Sequence, residues 1–87
     1  MKIGIVGTGA MGSTHAAGWS DTSATIAGFV AELPALAESL ANQYHAPVFP
    51  SLEAMLPHVD VVDICSPTHL HHTHILQAAA AGKHILC

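Results

Sequence analysis

Apolar positions along the chain fall into two rhythms. Ile3, Ile5 and Val6, then Thr25 to Val30, then Val59 to Cys65 form short, nearly continuous runs, the pattern of strands covered on both faces. The intervening segments have helical length and spacing. Ala10 to about Ser20 is alanine- and glycine-containing, and the polar break Asp21 to Ser23 ends it. Pro34 opens a second helix at a position where a missing N–H does no harm. Leu33, Leu36/Ala37, Leu40/Ala41 and Tyr44 recur there as a core stripe. Val48 and Phe49 make a short third strand. Ser51 caps a brief helix over Leu52 to Leu56, which Pro57 helps to end. Val59 to Cys65 is the fourth strand, and a helix from about Leu70 through Ala78 to Ala81 stops at Gly82. His84 to Cys87 begins a fifth strand.

Strands alternating with helices across short loops specify an α/β fold with a parallel sheet and right-handed crossovers. The expected architecture is a partial Rossmann-type, doubly wound sheet of about five strands in order 3-2-1-4-5. In such sheets ligands bind beyond the carboxyl ends of the strands where the strand order reverses, here between the first strand and the fourth. Gly7 to Gly12 and Ser66 to His71 then face each other across one crevice.

The first of those segments carries the chemistry. Lys2 to Gly12 reads KIGIVGTGAMG, with Gly7, Gly9 and Gly12 in G-x-G-x-x-G spacing where the first strand ends. Gly7 suits a tight turn, Gly9 lets backbone approach a pyrophosphate, and Gly12 allows close packing of helix on strand. Phosphates would sit on the free N–H groups at the helix start, where the macrodipole favours negative charge. The cofactor neighbours expected from this loop are Gly7, Thr8, Gly9, Ala10, Met11 and Gly12. An acidic residue at the end of the second strand normally holds the adenosine ribose, and Ala31 and Glu32 occupy that place. Glu32 would repel a 2′-phosphate and no arginine is available to bind one, so of NAD and NADP the former is favoured.

Charge removes other partners. The formal net charge is −4, and Lys2 and Lys83 are the only fixed cations, so no basic surface exists for a nucleic-acid backbone. The longest uncharged stretches are interrupted by Gly, Pro, Ser, Thr and His, which argues against a membrane span, and the N-terminal apolar run is too short for a secretory signal; a cytoplasmic location is expected. Cys65 and Cys87 each end an apolar segment and read as small buried hydrophobes. With 87 residues, 51% of them hydrophobic, the chain is small and apolar for a complete dinucleotide-binding fold. The expectation is a fragment whose uncovered sheet edges and apolar faces promote self-association.

The segment Cys65-Ser66-Pro67-Thr68-His69-Leu70-His71 makes a family resemblance specific. With the opening GTGAMGSTHA, the helix Pro34 to Ala41 and the closing Ala81 to Cys87, it resembles the N-terminal half-domain of the Gfo/Idh/MocA oxidoreductases over essentially the whole chain. The resemblance implies that Ser66, Pro67, Thr68 and His71 are cofactor neighbours, with Thr68 in place of the usual asparagine. His15 also matches a common family position. The family's acid after the second strand aligns with Ala31, which leaves cofactor choice open. Family members continue after a segment like Gly82 to Cys87 with Glu-Lys-Pro, whose lysine lies by the nicotinamide. Residues 1–87 are therefore expected to be the N-terminal part of a dinucleotide-binding domain, without the substrate domain. Lys83 is not given the catalytic role, because it follows the helix-ending Gly82.

What this resemblance implies is an NAD(P)-dependent oxidoreductase that moves hydride to or from a hydroxyl-bearing carbon of a sugar, polyol or related small metabolite. The isolated chain is expected to bind dinucleotide weakly and to catalyse nothing, so no catalytic residue is assigned within it. A non-enzymatic dinucleotide-binding or sensing module is the alternative. A third reading, metal binding by His69, His71, His72 and His74, is weaker. On a helix His71 and His74 share a face while His72 points elsewhere, so these histidines are read as lining the crevice or exposed to solvent, and no metal ligand is assigned.

Overall fold

The computed structural model describes residues 1–32 and 34–87. Leu33, expected on the apolar stripe of the second helix, lies outside the described residues, as do the side chains of Pro34 and Leu36. Four strands, β1 (Lys2–Val6), β2 (Thr25–Val30), β3 (Val61–Ile64) and β4 (His84–Leu86), alternate with helices α1 (Ala10–Ser20), α2 (Pro34–Tyr44), α3 (Leu52–Met55) and α4 (Thr68–Ala80). All pairings are parallel, in the order β2-β1-β3-β4.

The third strand expected at Val48 and Phe49 is reduced to one parallel bridge, Phe29 with Val48, on the outer side of β2. Phe29 N donates to Pro47 O at 3.0 Å and Phe49 N donates to Phe29 O at 2.8 Å. Pro47 and Pro50 bracket this stretch, and prolines cannot extend a ladder for want of an N–H. The position beside β2 is the expected one, so the order 3-2-1-4-5 holds with its first member cut to a bridge.

Alternation along the strands sorts side chains onto two faces. Ile3, Ile5, Phe29 and Val61 pack with Ala16 of α1 and with Ala37, Leu40 and Ala41 of α2. Val6, Val30, Val62 and Ile64 pack with Leu52 and Met55 of α3 and Ala78 of α4. Helices thus cover both faces, and β1 and β3 in the middle are buried on both sides, which is why their sequences read as apolar runs.

Helix ends follow local chemistry. Ser51 Oγ accepts a hydrogen bond from Ala54 N at 3.1 Å and caps α3. Pro57 does not stop the chain from turning: α3 tightens into a 3-10 turn, Leu56–His58, that accommodates proline near its start. Thr68 is already helical, two residues ahead of the expected Leu70; Pro67 occupies the N-cap position without a side-chain cap, and its carbonyl accepts from Leu70 N at 2.9 Å. At the other end Gly82 adopts φ +71°, where Gly82 N donates to Ala79 O and Lys83 N to Ala78 O, the paired bonds of a Schellman ending. Lys83 is half-buried beside this turn. No helix among the described residues is long and apolar enough to cross a membrane.

Candidate functional site

Beyond the carboxyl ends of β1, β2 and β3 lies a crevice of about 900 Å³. Its size is that of a small-molecule or cofactor site. Two strand-to-helix loops form facing walls, one leading from β1 into α1 and the other from β3 into α4.

The first wall is made of backbone. Gly7 N donates to Val30 O and Cys65 N donates to Val6 O, both at 2.7 Å, so the strand end is tied on each side before the chain turns. Gly7 turns it with φ +95°, a region costly for residues with a Cβ. A Cβ there would also lie 2.6 Å from the backbone of Cys65 and Ser66, so Gly7 sets the closeness of the two walls. Gly12 faces inward, where a Cβ would come within 2.1 Å of Gly7 O. Gly9 differs from both. It is the N-cap of α1, its backbone is extended with φ −75°, and a Cβ placed on it would meet nothing within 4 Å. No side chain caps α1, and its first intrahelical bond runs from Ser13 N to Gly9 O, which leaves the preceding N–H groups available at the crevice.

The second wall is held by side chains. Ser66 is 7% exposed; its Oγ shares a hydrogen bond of 2.8 Å with His74 Nδ1, and its carbonyl accepts a bond from His71 Nε2. Because a carbonyl only accepts, His71 carries a proton on Nε2, and its Nδ1 lies 3.5 Å from Cys87 Sγ. His69 and His72 are exposed on the other side of α4. Burial, with the neighbouring His71 second, holds His74 below its ordinary value of 6.5, against the pull of Glu32.

Of the residues expected at the site, Gly7, Thr8, Gly9, Ala10, Met11, Ala31, Glu32, Ser66, Pro67, Thr68 and His71 all line this crevice. Gly12 does not; it is buried under Gly7, in keeping with the packing role read for it. Sequence reasoning missed Ser51 to Glu53, at the start of α3, and Gln77 from α4. Of the four histidines of α4, His71 and His74, nearly one helical turn apart, line the crevice as their shared face implied, while His69 and His72 do not.

A further group lies behind the first wall, on the α1 face of β3. Asp63 is fully buried. His15 Nδ1 lies 2.8 and 2.9 Å from its two carboxyl oxygens, Trp19 Nε1–H donates to Oδ2 at 2.8 Å, and Cys65 Sγ–H reaches Oδ1 at 3.5 Å. Burial first, and then Asp63 through its charge and this bond, with Cys87 adding a little, push the Cys65 thiol up to about 12. An acid inside the run Val61, Val62, Asp63, Ile64 was the sequence signal for this group, since a buried acid requires partners.

Known proteins share this layout. The chain is 35% identical over 99% of its length to the UDP-N-acetylglucosamine 3-dehydrogenase of Acidithiobacillus ferrooxidans, whose solved structure superimposes with a TM-score of 0.91. It is 34% identical over its whole length to an inositol 2-dehydrogenase of Rhizobium meliloti. A biliverdin reductase from Synechocystis, solved with biliverdin and NADP+, matches 97% of the chain with a TM-score of 0.89 at 26% identity. The chain spans 27% of the length of each of the two dehydrogenases and 28% of the reductase. The model of the GFO_IDH_MocA oxidoreductase family, NAD-binding Rossmann fold, matches residues 1–87. With a four-stranded parallel sheet, a glycine turn at the reversal of strand order and a match along its full length, the chain belongs to the Gfo/Idh/MocA oxidoreductase family and carries its NAD-binding Rossmann fold.

Proposed function

We propose that the crevice holds the dinucleotide with its pyrophosphate at the N-terminus of α1, and that the whole protein transfers hydride between the nicotinamide and a hydroxyl-bearing carbon of a sugar, polyol or related small metabolite. The observation that carries this reading is Gly9. Gly7 and Gly12 are required by the protein's own packing, but among the described residues nothing outside the adjoining backbone lies within 4 Å of the place of a Gly9 Cβ. A glycine that the fold does not need, at an uncapped helix N-terminus, supports an incoming ligand that does need it. The sugar and polyol dehydrogenases among the relatives support the substrate class.

Within the crevice Ala31 and Glu32 at the end of β2 would meet the adenosine ribose, while Pro67, Thr68 and the α4 N-terminus would close over the cofactor from the second wall. Glu32 favours a free 2′-hydroxyl over a 2′-phosphate, so NAD is the proposed partner. The cofactor supplies the hydride chemistry when bound; these residues orient it. Calorimetric titration with NADH and NADPH tests the reading. Saturable binding with NADH preferred is expected, and Gly9→Val should weaken it by about tenfold or more through steric exclusion of the pyrophosphate. A folded chain that binds neither dinucleotide, or a Gly9→Val variant that binds as well, overturns the pyrophosphate assignment; preference for NADPH overturns the role of Glu32.

A further inference from the structure

Asp63, Cys65 and His15 bring three chemically different donor atoms to one point behind the cofactor crevice. His15 Nδ1, Asp63 Oδ1 and Cys65 Sγ form a triangle with sides of 2.9, 3.3 and 3.5 Å. Asp63 and Cys65 approach the same ring nitrogen, so the trio cannot act as a nucleophile–base–acid relay, which needs one partner on each nitrogen of the imidazole. Convergence on one point suits a single cation instead.

We propose that His15, Asp63 and Cys65 form a binding site for a zinc-class divalent cation, with the remaining coordination position open toward the crevice. The donor distances fit. A tetrahedral zinc ion with bonds of about 2.0 Å to N and O and about 2.3 Å to S sets its ligand atoms about 3.3 Å apart for N and O and about 3.5 Å apart for either with S. The two sides that involve sulfur already match, at 3.3 and 3.5 Å. The N to O side opens by about 0.4 Å, a small adjustment for the His15 ring, which is 26% exposed. Asp63 lies in β3 and His15 descends from α1, while Cys65, the first residue after β3, is tied by its N–H to Val6 O at 2.7 Å, so all three backbones are fixed. Trp19 Nε1–H fixes Oδ2 and leaves Oδ1 for the ion, the outer hydrogen bond that orients a ligating carboxylate. One nitrogen, one oxygen and one sulfur select zinc or cobalt over magnesium or calcium, which take oxygen. His15 and Cys65 both line the crevice, which gives an entry path. On binding, the thiol proton leaves to solvent, and the imidazole gives up the Nδ1 proton that it donates to Asp63 and takes one at Nε2, which frees the Nδ1 lone pair for the ion. This inference stands independently of the cofactor assignment.

Cobalt(II) titration of the chain tests it, because a thiolate–cobalt bond produces a charge-transfer band that histidine ligands alone do not. A band saturating at one equivalent is expected, retained in Cys87→Ser, absent in Cys65→Ser, and reached at about tenfold higher cobalt in Trp19→Phe. X-ray absorption of the zinc-loaded Cys87→Ser variant, which needs no change at the site, should find one sulfur among the ligands. Absence of the band, its persistence in Cys65→Ser, or nitrogen and oxygen scatterers alone overturns the proposal and leaves an adventitious ion only, on the exposed histidines of α4.

Discussion

The two walls of the crevice do similar work by opposite means. From β1 to α1 the chain is shaped by the absence of side chains: Gly7 takes φ +95°, Gly12 lies against Gly7 O, and no side chain caps the helix. From β3 to α4 it is shaped by their presence, since Ser66 is held by His74 through its hydroxyl and by His71 through its carbonyl. The first wall, proposed to offer its backbone N–H groups to the dinucleotide, is served by removing atoms, whereas its partner is fixed by adding bonds. The walls should therefore fail differently when altered.

The largest effect is expected at Gly12. A Cβ 2.1 Å from a backbone oxygen cannot be relieved by a side-chain rotation, so Gly12→Ala should cost about 3 kcal/mol or more. Urea denaturation measures this; an unchanged midpoint would mean that the first wall is not close-packed. On the second wall, Ser66→Ala removes one hydrogen bond and leaves His74 Nδ1 without that partner, a loss of about 1 kcal/mol by the same assay. A cost equal to that of Gly12→Ala would erase the contrast.

A smaller effect follows from His74. Its folded value is held below 6.5, so on acidification the unfolded chain takes up a proton where the native chain resists it. The contribution of neutral His74 is present above about pH 6.5 and is lost as the pH falls through and below that value. The urea midpoint should drop over that range, and His74→Gln should flatten the drop; an equally steep drop in the variant would place the effect elsewhere. The last prediction leaves stability untouched. With its thiol pushed up to about 12, Cys65 should resist iodoacetamide at neutral pH in the folded chain, while exposed Cys87 is labelled. Mass spectrometry that finds Cys65 labelled first would show that the junction of the walls is open.

The same difference explains how much of each wall was legible. Glycine at fixed spacing is a backbone instruction, readable in order along the chain: the turn read for Gly7 and the packing read for Gly12 match their surroundings, and the role read for Gly9 stays a proposal. The second wall, Ser66 to His71, was placed by the expected strand order, and resemblance then singled out Ser66, Pro67, Thr68 and His71 within it. That the Ser66 hydroxyl turns toward His74 was not readable, because the bond spans eight positions and depends on the angle at which α4 meets β3. The Asp63 group was still less accessible. His15 and Asp63 are 48 positions apart, and neither spacing nor composition links them.

By itself the sequence determined the order and type of the elements, the parallel sheet and the place of the crevice, because hydrophobic period, turn residues and short connections act locally or through simple rules of topology. Tertiary structure decided which side chains meet. It reduced Val48 and Phe49 to a bridge, seated Gly12 under Gly7, and buried Asp63 where His15, Trp19 and Cys65 could satisfy it. Those outcomes depend on distances between elements far apart in the chain, which packing sets to within tenths of an ångström and a linear pattern does not encode.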